Sequence, residues 1–177
     1  MPYTIKPMPP AEIPDWHRWM QEIQQGMADT SRFVVDPLAY LLSHMENGGF
    51  GLQVVDEDGE KAACLICCVP QTAEENLGSV LFSDPEELAR VLHVEYAAVE
   101  PAHRGNRLQE RLIAEAESCL TGTRFVHLMA TASPENPASV RSFLHEGYRI
   151  IETKPMYGGL LRHIFYKSRE QRREDVR

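Results

Sequence analysis

Apolar and polar residues alternate along this chain with two periods, and the switches between them divide it into elements. Ile13, Trp16, Met20, Ile23 and Met27 recur at spacings of three and four, one face of an amphipathic helix. Asp36-Pro37 supplies a cap and a first-turn proline for a second, shorter helix carrying Leu38, Leu41, Leu42 and Met45, which stops at Gly48-Gly49. Phe50 to Val55 and Lys61 to Val69 are apolar-rich runs, and the Asp58-Gly59 pair between them signals a β-hairpin. Tyr3 to Lys6 reads as a short strand broken by Pro7, Pro9 and Pro10, and Asp84 to Leu88 as a helical turn. From His93 to Val99 the period is two, with Val94, Tyr96 and Ala98 on one face and His93, Glu95, Ala97 and Val99 on the other. Leu108, Leu112, Ile113, Ala116 and Leu120 then return to helical spacing, with Gly122 as the stop. Phe125 to Thr131 is a strand, and Asn136-Pro137 opens a helix bearing Val140, Phe143 and Leu144 that Gly147 ends. Tyr148 to Lys154 and Leu160 to Tyr166 close the chain as two strands, followed by a densely charged tail expected to be solvated. This order predicts an α/β (α+β) fold: a mixed, mostly antiparallel sheet of about six to seven strands with helices on both faces. A length of 177 residues suits one domain, 1-177.

The stretch from His93 to Leu120 carries the chemistry. A glycine between a strand and a helix lets backbone N–H groups approach an anion where the helix dipole also favours negative charge. Arg104 and Arg107 add to that pull, so residues 103 to 108 point to a phosphate-bearing ligand. These residues are not a P-loop, because no Gly-Lys-Ser/Thr follows.

Val99-x-Pro-x-x-Arg104-Gly105-Asn106-x-Leu108-Gln109 resembles the acyl-CoA pyrophosphate loop of the GNAT superfamily of N-acetyltransferases, whose usual pattern is Gln/Arg-x-x-Gly-x-Gly/Ala. Ala102 stands at the first position and Arg107 at the second small-residue position. Asn136-x-x-Ser139-x-x-x-Phe143-x-x-x-Gly147-Tyr148 is similar to the family's second motif, Asn-x-x-Ala-x-x-x-Tyr-x-x-x-Gly-Phe. Two motifs in the right order and separation are more specific than one. The resemblance implies an N-acetyltransferase that uses acetyl-CoA as acyl donor and passes the acyl group to a primary amine in a ternary complex. The alternative is a catalytically silent acyl-CoA-binding domain.

It further implies that the cofactor-binding residues are Val99, the amides of His103, Arg104, Gly105, Asn106, Arg107 and Leu108, and Asn136, Ser139 and Phe143. Val99 would lie against the pantetheine and offer its N–H to the thioester oxygen. An ammonium with a pKa near 10 must lose a proton before it attacks a carbonyl, so a base is required. Glu95 and His93 share a strand face and are the candidates, with Tyr157, in the turn between the last two strands, as the third catalytic residue. Phe143 replaces the family's tyrosine, the usual proton donor to the leaving thiolate, and Tyr148, Tyr157 or a water is left for that role.

Charge changes the picture only at the acceptor. A formal net charge of -8 argues against non-specific nucleic-acid binding and suits a cationic partner. No apolar run is long enough to span a membrane, and the start lacks a signal-peptide pattern, so a cytoplasmic protein is expected. Exposed terminal strands make a homodimer an expectation. Cys64, Cys67 and Cys68 lie inside an apolar strand, with no second pair at zinc spacing, which predicts buried reduced thiols and no metal.

Overall fold

A computed structural model describes residues 2–170; the part of the charged tail beyond residue 170 lies outside the described residues. The seven strands are β1 (Thr4–Met8), β2 (Phe50–Val55), β3 (Lys61–Cys68), β4 (Val91–Val99), β5 (His127–Ala132), β6 (Arg149–Met156) and β7 (Leu160–Ser168). They form one sheet in the order β1-β2-β3-β4-β5-β7-β6. Every neighbouring pair is antiparallel except β4 and β5. The helices are α1 (Ile13–Gln25), α2 (Leu38–His44), α3 (Pro85–Leu88), α4 (Leu108–Ser118) and α5 (Pro137–His145). The mixed, mostly antiparallel sheet with helices on both faces is the expected one.

From Ala63 onward, alternation along β3 separates the two cores. Ala63, Leu65 and Cys67 pack on the side of α4, with Leu108, Leu112, Ile113 and Ala116. Cys64, Ile66 and Cys68 face α1 and α2, against Trp16, Trp19, Met20 and Leu41. Trp16 and Trp19 meet edge to face at 5.0 Å between ring centroids, so both are core residues. The three strand cysteines are buried as free thiols, as the sequence predicts.

Two elements run further than expected, for one reason. β1 passes through Pro7 and β6 through Pro155. Both are edge strands, where a missing N–H can face away from the neighbour without breaking the ladder.

β4 departs from plain alternation. Its pairing with β3 shifts between Ile66–Tyr96 and Cys67–Val94, leaving Glu95 as the extra residue of a β-bulge. Leu92 and Val94 pack on the α4 side before the bulge, and Ala97 and Val99 do so after it. Tyr96 and Ala98 instead join the α1 and α2 side. The expected grouping of Val94 with Tyr96 and Ala98 is therefore corrected, because the inserted residue reverses the pleat.

Candidate functional site

β4 and β5 are hydrogen-bonded through three residue pairs only, Val91–His127, Leu92–Leu128 and His93–Met129. Beyond His93 they part. The amide of Glu100 bonds to Ala62 O at 2.9 Å across the β3 ladder. In an antiparallel ladder the peptide groups alternate in direction, so Ala98 also turns to β3 while Ala97 and Val99 turn to the gap beside β5. A groove, a throat and a pocket lie along this gap, of about 400, 50 and 500 Å³. Arg32 and Phe33 line both groove and throat; Glu95 and Tyr157 line both throat and pocket.

The groove is floored by Ala97, Ala98 and Val99 and walled by the loop into α4. In that loop the His103 and Arg104 amides bond to Glu100 O and Pro101 O, closing the 3-10 turn Pro101–His103. They are therefore not available to a ligand as expected. The amides of residues 105 to 110 make no hydrogen bond within the described residues, and the first bond of α4 runs from the Arg111 amide to Arg107 O at 3.1 Å. Free donors thus begin two residues later than the sequence reading placed them. Gly105 at φ 83° and Arg107 at φ 55° both take left-handed backbone, which turns this run of amides outward from the strand end.

Arg32, Arg104, Arg107 and Arg141 line the groove, with Glu110 as the carboxylate among its lining residues. Arg107 is swung over α4, its Nε toward Glu110 and one Nη 2.7 Å from His145 Nε2. Glu110, His145 and Glu146 could otherwise gather three ligand atoms within 4.8 Å. The Arg107 guanidinium sits on two of the three, Glu110 and His145, and ties them into an ion-pair cluster.

Asn136 lines the groove and caps α5 through its Oδ1, which accepts from the Ser139 amide at 3.3 Å. The Ser139 hydroxyl accepts from Gln109 at 3.0 Å, tying α5 to α4. Ser139 and Asn106 do not line the groove; Ala138 and Ser142 do. Phe143 is 3% exposed and stacks on Phe165 at 5.0 Å, inside the core rather than at the groove. Tyr148 meets Phe143 edge to face in the same core, so it does not reach the throat.

At the throat stand Glu95 and Tyr96 of β4, Thr131 and Ala132 of β5, and Tyr157 and Arg162. Tyr96 donates to Asp36, a second carboxylate of the throat lining, at 2.6 Å. Tyr157 sits in the turn between β6 and β7 with φ 49°, its hydroxyl 3.1 Å from Thr131 Oγ1. Burial, and then the Glu95 carboxylate, push its phenol up to about 12. Arg162 is buried and donates to the carbonyls of Leu161 and Ser31, with its guanidinium 5.7 Å from the Tyr157 ring.

The pocket beyond is lined by Glu74, Glu75, Glu95 and Glu152 with Lys154 and the rings of Tyr40 and Tyr157. Lys154 pairs with Glu152 at 3.1 Å. Burial alone would raise the Glu75 carboxyl, but hydrogen bonds from the Gln71 and Thr72 amides and from His44 outweigh it and hold it low. His93 and Glu95 do lie together, with Nδ1 to Oε2 at 3.3 Å. The structure adds Arg32, Arg141, Tyr40, Thr131 and the segment 74–80 to the expected residues; Arg141 falls at an unspecified position of the second motif, and the others lie outside both motifs and are brought here by the sheet topology.

No protein-family model matches the sequence, and no curated protein matches it. Solved structures do. An acetyltransferase of the GNAT family from Streptococcus pneumoniae superposes with a TM-score of 0.69 at 12% identity, covering 94% of this chain and 99% of its own. The yncA protein of Salmonella typhimurium, a putative acetyltransferase with its cofactor acetyl-CoA, gives a TM-score of 0.66 at 17% identity, covering 97% and 96%. The spermidine/spermine N-acetyltransferase SpeG from Vibrio cholerae, in mutant forms, gives 0.60 at 12% identity over 94% and 95%.

Proposed function

We propose, since the chain has the GNAT acetyltransferase fold, that it is an N-acyltransferase moving an acetyl group from acetyl-CoA to a primary amine in a ternary complex. One observation carries the reading: a groove with unused backbone donors at one end meets a carboxylate-lined pocket through a narrow throat, and Glu95 belongs to both throat and pocket.

The pyrophosphate takes the amides of residues 105 to 110, with Arg104 and Arg141 of the groove lining beside them, while the Arg107 guanidinium stays on Glu110 and His145. The pantetheine lies along the unpaired edge of Ala97 and Val99, which places the thioester at the throat. Glu95 accepts a proton from the ammonium, directly or through one water, and the freed nitrogen attacks the carbonyl carbon. The resulting oxyanion needs a donor beside the attack point. Val99 lies four residues from Glu95, about 13 Å along an extended strand, which is too far. The Ala97 amide, facing the gap from just beyond the bulge, takes that role, an effect worth about 3 kcal/mol.

Collapse of the intermediate breaks the C–S bond. A phenol pushed up to about 12 gives its proton to a thiolate of pKa about 8.5 only uphill. Tyr157 therefore hydrogen-bonds the departing sulfur, and solvent supplies the proton. The pocket's carboxylates, set against Lys154, favour an acceptor carrying more than one ammonium; the polyamines named for the Vibrio cholerae protein are of that kind.

The test is release of CoA thiol from acetyl-CoA with a panel of amines. Glu95→Gln is expected to lower the rate about a hundredfold at neutral pH and less at high pH, where the amine is already neutral. Tight acetyl-CoA binding with no turnover across the panel would favour a silent binding domain. Equal rates for both proteins at every pH would remove Glu95 as the base.

A further inference from the structure

The Leu77 amide donates to Nε2 of His93 at 3.1 Å, a bond closed off from solvent. A backbone N–H can only donate, so Nε2 presents a lone pair, the imidazole is neutral, and Nδ1 carries the hydrogen. The Glu95 carboxylate lies against that edge of the ring, Oε2 3.3 Å from Nδ1, a close electrostatic contact without hydrogen-bond alignment. The ring itself is 6% exposed and held at the point where β4 leaves β5.

The donor side is equally fixed. Leu77 opens the 3-10 turn Leu77–Val80, whose residues line the acceptor pocket. Asn76 ties that turn down, accepting from the Gly78 amide at 2.9 Å and donating to Leu88 O at 3.0 Å. A Cβ on Gly78 would meet Val91 Cγ2 at 2.6 Å, so the turn sits on β4 with no room for a side chain there. The groups sharing the pocket with the pair are Glu74, Glu75, Glu152, Lys154, Tyr40 and Tyr157, and none of them bonds to either His93 ring nitrogen.

We propose that His93 is a positioning residue: a neutral ring, clamped by the acceptor-side turn, whose Nδ1 edge packs against the Glu95 carboxylate and sets where it stands at the throat. It is neither the base nor a proton relay, because a proton on Nε2 would face the Leu77 N–H and break the clamp. An acceptor seated against Leu77–Val80 thereby sets the aim of the base. This role rests on Glu95 being that base.

Two variants divide the ring's functions. His93→Asn keeps a donor near the place of Nδ1, and His93→Gln keeps an acceptor near the place of Nε2. His93→Gln is expected to lower kcat about tenfold or more with the KM for the amine nearly unchanged. His93→Asn is expected to hold kcat within about threefold and to raise that KM as the turn loosens. Equal losses of kcat in the two variants, or no loss in His93→Gln, would overturn the proposal. A second measurement needs no turnover: long-range proton–nitrogen NMR of the wild-type imidazoles should find His93 as the Nδ1–H form at neutral pH. An Nε2–H form or an imidazolium there would overturn it too. If Glu95→Gln retains full activity, the reading of the base fails, while the ring spectrum still reports on the clamp separately.

Discussion

Phe143 stands where the GNAT motif carries a tyrosine, and its ring is packed between Phe165 and Tyr148. Restoring the hydroxyl would bury it among aromatic carbons. Phe143→Tyr is expected to cost about 1–3 kcal/mol of stability in urea unfolding and to leave kcat unchanged. A rise in kcat would return the leaving-group role to α5. Single residues also mark where the sequence could be read and where it could not. Glu95 and His93 were legible as a pair, because two titratable groups two apart on a strand share a face. Tyr157 was legible as a candidate from its place in a glycine-flanked turn, and its hydroxyl does reach the throat beside Thr131. Phe143 and Ser139 were matched to a cofactor motif by position, yet one is core and the other ties two helices together. A motif fixes spacing along a helix, whereas packing against β7 decides which side of that helix meets the groove.

At the level of elements, the loop into α4 uses two left-handed residues, one of them a bulky arginine. Left-handed backbone costs an L-residue about 1–2 kcal/mol, and glycine recovers part of that against its greater freedom when unfolded. Arg107→Gly is therefore expected to raise the urea midpoint by up to about 1 kcal/mol in stability, while the amides of the loop remain in place and the KM for acetyl-CoA changes less than about threefold. A large rise in that KM would mean that the guanidinium leaves Glu110 and His145 to bind phosphate. Periodicity read the helices and the hairpin well because each is set by local spacing. It could not reveal the bulge at Glu95, since alternation looks the same whether or not one residue is squeezed out of the ladder. Nor could it show that the His103 and Arg104 amides close their own turn, which shifts the free donors to residues 105 to 110.

Over the whole molecule, acid and base are sorted: arginines gather on the groove and carboxylates in the pocket, within a chain of formal net charge -8. Buried protons are sorted too. Burial pushes the Cys64 thiol up to about 12, and it also raises the thiols of Cys67 and Cys68 and the phenols of Tyr40, Tyr96 and Tyr148. Each of these groups holds its proton more tightly folded than unfolded. Their contribution to stability is therefore whole below the unfolded values, about 8.5 for Cys and about 10 for Tyr, and is lost as pH climbs toward 12. Urea midpoints are expected to be level up to about pH 8.5 and to fall steeply above about pH 10. A midpoint at pH 11 equal to that at neutrality would mean that these side chains reach water.

The sheet has two open rims, and each carries a proline, Pro7 on β1 and Pro155 on β6. A chain that tries to zip onto either rim meets a position with no hydrogen to offer, and its own carbonyl there goes unanswered. Crowded copies are thus discouraged from extending one another into a continuous ribbon. What is left for self-association is contact between side-chain surfaces, which can come apart again without unpicking backbone.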